Sequence, residues 1–390
     1  APGGGRLPSS WRRKRVMHMP AQVEDTTFLG RPAVRAANDH LAFVVVPEWG
    51  SNLISLVDLG TGAELLRVPE TADTYLQSPI LYGTPILFPP NRIADGRFTY
   101  RGREYRFDVN EPERNNHIHG LVYDRPWDVA EVRTDGRGRA TVATRFDAAR
   151  HPSWSDIARQ FPHPFVITMR YTLDGATLHK TAAVHNAGDE PFPLGLGFHT
   201  TFRFPEATAR FALSVTRRWH LNERLLPTGQ LEELPLDLPG GVGLEGVPLD
   251  DAFFVGGGEA GLRGAAGPGG AAPGGAVSAS EVLGEAGPSA AVLTYPVLSV
   301  SRDGAAAAPG QAIRIEIRYE ADPNFRHWVV YNADGRSGFI CPEPYTWITN
   351  APNLAFPASL TGFQELGPGE TKVFATSITV KHAHDEAGSS

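Results

Sequence analysis

Residues 165–186 read FVITMRYTLDGATLHKTAAVHN, and this stretch decides the fold. Two runs rich in Val, Ile and Thr, in which apolar and polar residues alternate, flank the dipeptide Asp174-Gly175. Alternation with a period of two is typical of a strand with one buried face, and Asp-Gly between two such runs is the strongest short signal for a hairpin. The stretch therefore predicts an antiparallel β-hairpin.

Runs of the same kind recur along the chain and are separated by turn residues. They lie at residues 41–46, 53–58, 139–146, 192–204, 291–301, 313–320, 327–331 and 373–380. A helical pattern is nearly confined to Ser153–Gln160, where Ser153 or Ser155 is placed to cap a short helix. Glycine and proline, 42 and 33 of the 390 residues, also argue against long helices. The chain is predicted to be all-β, a large antiparallel sandwich or barrel.

We expect a single domain over residues 25–381, between an N-terminal tail (1–24) and a C-terminal tail (382–390). Strand patterns continue on both sides of the glycine-rich stretch 256–275, GGGEAGLRGAAGPGGAAPGG, so that stretch is interpreted as a flexible insertion. A shorter loop is expected around residues 305–309. The basic cluster at residues 12–15 is followed by no apolar segment, which favours a solvated tail over a targeting signal.

Composition excludes several classes of protein. The net charge of −7 offers no general attraction to nucleic acid, and no run of about 18 apolar residues exists to span a membrane. Cys341 is the only cysteine, which excludes an intramolecular disulfide and a cysteine-rich zinc site. We expect a cytoplasmic protein, monomeric or homodimeric, that binds neither nucleic acid nor membrane.

Three segments carry side chains suited to catalysis or ligand binding, and the first is Asn116-His117-Ile118-His119-Gly120. On a strand, His117 and His119 would point to the same face, where two imidazoles can bind a metal. A third ligand at motif spacing is missing. A site for substrate or catalysis is therefore favoured over surface histidines, and a metal site is the least favoured interpretation.

The second and third segments surround His199 and Glu343. His199 lies in Gly195–Pro205, GLGFHTTFRFP, where glycines and aromatic residues suit a sugar, although a buried histidine bonded to backbone fits equally well. Glu343 lies between Pro342 and Pro344 after an apolar strand. Burial there would raise the pKa of its carboxyl group towards that of a general base, and the alternative is a solvent-exposed glutamate at a strand end.

Weaker signals come from an arginine and a pair of acids. Arg92 leaves a turn fixed by Pro89 and Pro90, and its guanidinium suits neighbouring hydroxyl oxygens, although single arginines usually lie at the surface. Asp250 and Asp251 precede the glycine-rich stretch. Either can accept hydrogen bonds from sugar hydroxyls, and a charged turn is the alternative.

Taken in order, five segments resemble the aldose 1-epimerase (galactose mutarotase) family. They are FPPNRIADGRFTYRGREY from residue 88, NNHIHG from 115, GLGFHTTFRFP from 195, LDDAFF from 249 and CPEPYTWITNAPN from 341. The resemblance extends over residues 41–380. It implies a large antiparallel β-supersandwich, a monosaccharide as substrate, and no metal or organic cofactor.

The resemblance also implies roles for individual residues. Glu343, in its Glu-Pro context, is the expected general base, and His199 is the expected general acid. His119 is expected near the ring oxygen, and Arg92 and Asp250 are expected to bind hydroxyl groups, with Asp251 an equally spaced alternative to Asp250. Asn116, in the same motif as His119, completes the expected substrate-binding set.

The chain departs from the family pattern at three places, one of which is the glycine-rich stretch after Asp250, interpreted as an insertion. Gly120 is followed by Leu121 where many members have a second glycine, and Tyr345-Thr346-Trp347 replaces small residues after Glu-Pro, which predicts a more aromatic rim.

Two other functions are alternatives to mutarotation. A hexose-6-phosphate 1-epimerase would need an arginine cluster, but Arg217 and Arg218 should point to opposite faces of a strand. A non-catalytic carbohydrate-binding or sensing protein would lack the acid or the base, and both are present.

Overall fold

The computed structural model describes residues 20–256, 288–298 and 312–384. Its strands are numbered in chain order. They are β1 (Gln22–Phe28), β2 (Arg31–Ala37), β3 (Leu41–Val46), β4 (Asn52–Asp58), β5 (Ala63–Glu64), β6 (Ile86–Leu87), β7 (Arg92–Ala94), β8 (Arg97–Tyr100), β9 (Arg103–Arg106), β10 (Asn116–Ile118), β11 (Asp128–Thr134), β12 (Ala140–Asp147), β13 (Phe165–Asp174), β14 (Thr177–Asn186), β15 (Phe192–Pro193), β16 (Gly197–Phe198), β17 (Phe202–Arg203), β18 (Arg210–Leu213), β19 (Arg217–Leu221), β20 (Pro227–Glu232), β21 (Asp250–Phe254), β22 (Ser289–Leu298), β23 (Ala312–Ala321), β24 (His327–Tyr331), β25 (Phe339–Tyr345), β26 (Glu365–Leu366) and β27 (Thr371–His384).

Helices are few and short in the described ranges. The α-helices are α1 (Ala72–Gln77), α2 (Trp154–Gln160) and α3 (Ala358–Thr361). Single 3₁₀ turns lie at Pro47–Trp49, Pro79–Leu81, Pro112–Arg114, Ala148–Arg150 and Ala351–Asn353. α2 confirms the predicted helix, but Ser153 occupies its N-cap without a capping side-chain hydrogen bond. None of the described helices is long and apolar enough to cross a lipid bilayer.

The predicted hairpin is confirmed as β13 and β14, which pair from Phe165 with Asn186 to Asp174 with Thr177. Its two-residue loop is Gly175-Ala176, one position later than the Asp-Gly dipeptide, and Gly175 has a φ of 56°. The hairpin forms part of an eight-stranded sheet with the order β11-β12-β13-β14-β27-β23-β22-β18. The pairs in this sheet are antiparallel.

A second large sheet carries the candidate site. Its order is β20-β19-β21-β24-β25-β16-β6, with β17 also paired to β25. The large hydrophobic core includes side chains from both sheets; Tyr319 of β23, for example, packs edge-on against Trp328 of β24. The predicted all-β antiparallel supersandwich is confirmed. A five-stranded sheet, β1-β2-β3-β4-β5, adds to this architecture.

The predicted strand over residues 192–204 is wrong as a continuous element. The structure divides it into β15, β16 and β17, because its backbone N–H groups bond in turn to several different segments. Leu194 donates to Gln364, His199 to Pro85, Thr201 to Gly83 and Phe204 to Gly338. Gly195 and Gly197 permit this path, since a Cβ atom at either would lie 2.2 Å from the ring of Trp347 or Tyr345.

The boundaries of the tails also differ from prediction. β1 begins at Gln22, inside the predicted tail, because residues 22–24 pair with residues 35–37 of β2. β27 continues to His384, beyond the predicted end at 381, because residues 376–384 pair with residues 313–321 of β23. The cluster at 12–15, the loop at 305–309 and the glycine-rich stretch after Gly256 lie outside the described residues.

Lys180 on β14 is fully buried, and its Nζ atom has no hydrogen-bond partner among the described residues. The ammonium group lies 4.2 Å from the centre of the Phe198 ring. Burial lowers the pKa of Lys180 from 10.5 to about 7. Between these two values the unfolded chain binds a proton that the folded chain does not, so stability rises with pH in this window.

Lys180→Met should therefore stabilise the fold at pH 7 by at least about 1 kcal/mol. It should also flatten the dependence of the unfolding free energy on pH between 7 and 10. Urea denaturation at several pH values measures both effects. A variant that is less stable than the wild type at pH 7 contradicts this account of Lys180.

Candidate active site

Glu343 lies in the middle of β25, opposite Val329 of β24. Alternation along the strand places Cys341 and Tyr345 on the same face. The carboxylate is buried, with the residue only 1% exposed, and the Tyr345 hydroxyl donates a hydrogen bond to its Oε2 atom. Burial raises the pKa of Glu343 well above its ordinary value, and the hydrogen bond from Tyr345 opposes that rise. The solvent-exposed alternative for Glu343 is excluded.

His199 faces this carboxylate. Its Nε2 atom lies 3.2 Å from Oε1 of Glu343, and the residue is 4% exposed. The N–H of His199 donates to Pro85, which holds the residue immediately after β16. Its Nδ1 atom is buried without a hydrogen-bond partner among the described residues, so the ring is not merely bonded to backbone. Burial lowers the pKa of His199 to about 3.

These two shifts favour one protonation state of the pair. Burial disfavours charge on either group, so the pair favours a neutral carboxylic acid beside a neutral imidazole. The carboxylate–imidazolium form has the same number of protons. Moving one proton across the 3.2 Å contact converts one form into the other. The pair can therefore donate and accept a proton without a net change in charge.

His119 lies edge-on to His199, with the ring centres 5.3 Å apart. Burial lowers its pKa well below the ordinary value, with smaller contributions from His199 and Arg92. Its Nδ1 atom is buried without a hydrogen-bond partner among the described residues. Gly120 follows with a φ of 76° and fits tightly, because a Cβ atom there would lie 2.2 Å from the carbonyl oxygen of Phe88.

The prediction that His117 and His119 share one strand face is wrong. β10 ends at Ile118, and His119 has a φ of 71°, which breaks the alternation. His117 instead donates from Nδ1 to the carbonyl of Asp108 and packs against Phe107. The two residues do not belong to any group of three potential metal ligands in the described ranges. The metal alternative at this motif has no structural support.

Arg92 begins β7 and is held by a buried ion pair that the sequence did not indicate. Its Nε and Nη2 atoms donate to Glu111 over 2.9–3.1 Å. Asn116 donates from Nδ2 to the same carboxylate over 2.8 Å and is fully buried. Its Oδ1 atom accepts a hydrogen bond from Arg224. Asn116 was expected to bind substrate, but this geometry makes it a support for the Arg92–Glu111 pair.

Asp250 and Asp251 begin β21 with different partners. Asp251 is bonded to Arg218, with Nη1 and Oδ1 3.3 Å apart. Asp250 lies opposite Tyr331, which in turn lies opposite Cys341 of β25. Burial raises the pKa of Asp250, and the charge of Arg92 opposes the rise. Of the two acids, Asp250 is the one that interacts electrostatically with both Arg92 and Glu343.

Tyr345 and Trp347 do not form the predicted aromatic rim. Both are buried in a core cluster with Leu87 and Trp219, and Trp347 stacks on Phe363. The Tyr345 hydroxyl instead bonds to Glu343 and accepts a hydrogen bond from Asn91 over 3.2 Å. The aromatic residues that follow Glu-Pro therefore affect how the Glu343 carboxylate is held and do not line the entrance of the site.

Cys341 completes the cluster. His199, Cys341 and Glu343 offer potential metal-binding atoms within 4.8 Å of one another, and no other such group of three occurs in the described ranges. Burial raises the pKa of the Cys341 thiol well above its ordinary value, so the protonated form is favoured. A metal would require the thiolate. The Thr201 hydroxyl lies 3.3 Å from the thiol sulfur.

Comparisons with known proteins identify the family and the fold. The model of the aldose 1-epimerase family matches residues 32–257. The uncharacterized protein YihR of Escherichia coli is 27% identical over 241 residues, which cover 60% of this chain and 71% of that protein. Mouse galactose mutarotase is 23% identical over 201 residues, which cover 49% of this chain and 55% of the mouse protein.

Solved structures show the same fold. A galactose mutarotase-like protein from Clostridium acetobutylicum superposes with a TM-score of 0.74 at 25% identity, covering 93% of this chain and 99% of that one. Galactose 1-epimerase from Lactobacillus acidophilus superposes with a TM-score of 0.63 at 14% identity, with the same coverage. Because the family model spans more than half of the sequence, the chain belongs to the aldose 1-epimerase family.

Proposed function

We propose that this chain is an aldose 1-epimerase that interconverts the α and β anomers of a free aldohexose such as glucose or galactose. The observation that carries the proposal is the buried contact between Glu343 and His199, 3.2 Å long, in a member of this family. Mutarotation needs one group to remove the proton of the C1 hydroxyl and another to protonate the ring oxygen. The pair supplies both.

In the proposed cycle the Glu343 carboxylate removes the proton from the C1 hydroxyl while the His199 imidazolium gives a proton to O5. The C1–O5 bond breaks and the C1–O1 bond becomes the aldehyde carbonyl. The aldehyde then rotates about the C1–C2 bond, and the reverse steps close the ring on its other face. Ring opening leaves the pair as carboxylic acid and neutral imidazole, the form that burial favours.

The remaining residues hold the sugar in place. His119 offers its unpartnered Nδ1 atom close to His199, where it can hydrogen-bond near the ring oxygen. Arg92 and Asp250 bind hydroxyl groups, and Glu111 and Asn116 keep the Arg92 guanidinium in a fixed orientation. The cycle uses no metal or organic cofactor. The cytoplasmic location and the monomeric or homodimeric state stay predictions.

The two rival functions receive less support. Arg217 and Arg218 are bonded to different acids, Glu233 and Glu232, so they do not form a free arginine cluster for a phosphate. A binding protein without catalysis would not need two titratable groups buried in contact, because an amide or hydroxyl would bind a sugar at lower cost. Polarimetry of freshly dissolved α-D-glucose tests the proposal: turnover well above the spontaneous rate supports it.

The pH profile gives an independent test. The active pair carries one proton, its second protonation is suppressed by the lowered pKa of His199, and its deprotonation is delayed by the raised pKa of Glu343. The value of kcat/KM should therefore not change as the pH passes through about 6.5, the pKa of an ordinary histidine. Loss of activity with a midpoint near 6.5, the pKa of an ordinary histidine, would contradict the coupled pair.

A further inference from the structure

Arg67 lies beside the candidate site but has no role in the cycle above. Its backbone N–H donates to the carbonyl of Thr201, two residues after His199, over 2.9 Å. Its guanidinium carbon lies 4.2 Å from the centre of the Phe339 ring and 4.8 Å from that of Tyr82. The arginine is therefore held between two aromatic rings at one end of β25.

The guanidinium lacks an anionic partner in the part of the chain that the structure describes. Its Nη1 atom is buried and has no hydrogen-bond partner there. Other arginines near the site differ in this respect, because Arg92 is paired with Glu111 and Arg218 with Glu232 and Asp251. A buried donor without a partner is costly, and a guanidinium has five N–H donors arranged to bind an oxyanion.

Arg67 contacts β25, the strand that carries Glu343. Phe339, Cys341 and Glu343 alternate along β25, so they lie on one face of the sheet. Burial raises the pKa values of Tyr331 and Cys341, and the Arg67 charge opposes both shifts. Arg67, which packs against Phe339, therefore lies at one end of the strand face that carries Glu343.

We propose that Arg67, rather than Arg217 and Arg218, binds an anionic oxygen group carried by the substrate, so that the enzyme accepts neutral aldohexoses but prefers an aldose with a carboxylate or phosphate substituent. This inference rests on the proposed function. The planar fork of a guanidinium matches a carboxylate or phosphate with two parallel hydrogen bonds, whereas a neutral hexose leaves the charge of Arg67 unpaired.

The test compares D-glucuronate, D-glucose 6-phosphate and D-glucose as substrates, with α–β exchange followed by NMR of the anomeric protons. We expect at least one anionic sugar to have a kcat/KM at least about tenfold above that of glucose, the size expected for a charge-assisted hydrogen bond. The comparison between glucuronate and glucose 6-phosphate distinguishes carboxylate from phosphate. Glucose equal to or better than both anionic sugars overturns the inference.

Substitutions of Arg67 test whether this residue causes the preference for anionic sugars. Arg67→Met keeps an apolar side chain between the two rings and should bring the ratio of anionic to neutral kcat/KM close to one, whereas Arg67→Lys should keep part of the preference. Arg101→Met, which removes an exposed guanidinium paired with Glu365, should leave the ratio unchanged. An unchanged ratio in Arg67→Met overturns the inference. If that variant does not fold, the wild-type ratio and Arg67→Lys decide.

If the chain has no mutarotase activity, the comparison of substrates gives a different result. An enzyme that exchanges none of the three sugars contradicts mutarotation, and calorimetric binding to the wild type then decides the role of Arg67. Tighter binding of an anionic sugar than of glucose supports the inference, and equal or weaker binding overturns it.

Discussion

Glu343→Gln lowers kcat for mutarotation of α-D-glucose by at least about two orders of magnitude, because glutamine cannot remove the proton of the C1 hydroxyl. The substitution keeps the size of the side chain and an acceptor for the Tyr345 hydroxyl. The fold should therefore persist, and removing a buried titratable group should not reduce stability. Polarimetry measures kcat, and circular dichroism with thermal unfolding measures the fold.

A matched control separates catalysis from the general effect of replacing a buried glutamate by glutamine. Glu206 is also buried, and its Oε1 accepts a hydrogen bond from the N–H of Gly338. Glu206→Gln keeps that acceptor and should leave kcat within about threefold of the wild type. Turnover near the wild-type rate in Glu343→Gln would remove Glu343 from the mechanism.

His199→Asn should lose most of the activity, by a factor of about 10² to 10⁴, because asparagine cannot protonate the ring oxygen. The loss should appear mainly in kcat, since Glu343, Arg92 and Asp250 remain to bind the sugar. The pH profile of the residual activity should then reflect Glu343 without its partner. Polarimetry across pH measures both effects.

The control for His199 is His163, another buried histidine. Burial lowers its pKa to about 4, and its Nε2 atom lies 2.7 Å from the Tyr105 hydroxyl. His163→Asn should affect stability but not kcat, since His163 belongs to the core around Phe161 and Phe192. If His199→Asn keeps its activity, the acid role belongs instead to His119.

The class of fold could be predicted from the sequence because each strand is marked by a local alternation of apolar and polar residues. Alternation predicted β3 and β24 at their observed bounds and the hairpin of β13 and β14 to within one turn position. It failed over residues 192–204, whose backbone hydrogen bonds are made to segments as distant in sequence as Pro85 and Gln364. No local pattern in a sequence records such partners.

The candidate site was also predicted only in part, where short motifs mark its residues. Short motifs singled out Glu343, His199, His119 and Arg92, and the fold brings these residues close enough to interact, while their roles stay predictions. Glu111 was missed, although it lies five residues before Asn116. A glutamate in a charged segment looks solvent-exposed unless the partner that buries it is known. Asp250 and Asp251 could not be distinguished, because their difference lies in Arg218, which pairs with only one of them.

Exchange between the anomers of D-glucose at equilibrium, measured by NMR magnetisation transfer between the two H1 signals, tests the central claim most directly. The proposed pair predicts an exchange rate that rises in proportion to wild-type enzyme and does not rise with Glu343→Gln or His199→Asn. Exchange at the spontaneous rate with the folded wild type, for glucose, galactose and the anionic sugars alike, would contradict the assignment of mutarotase activity to this chain.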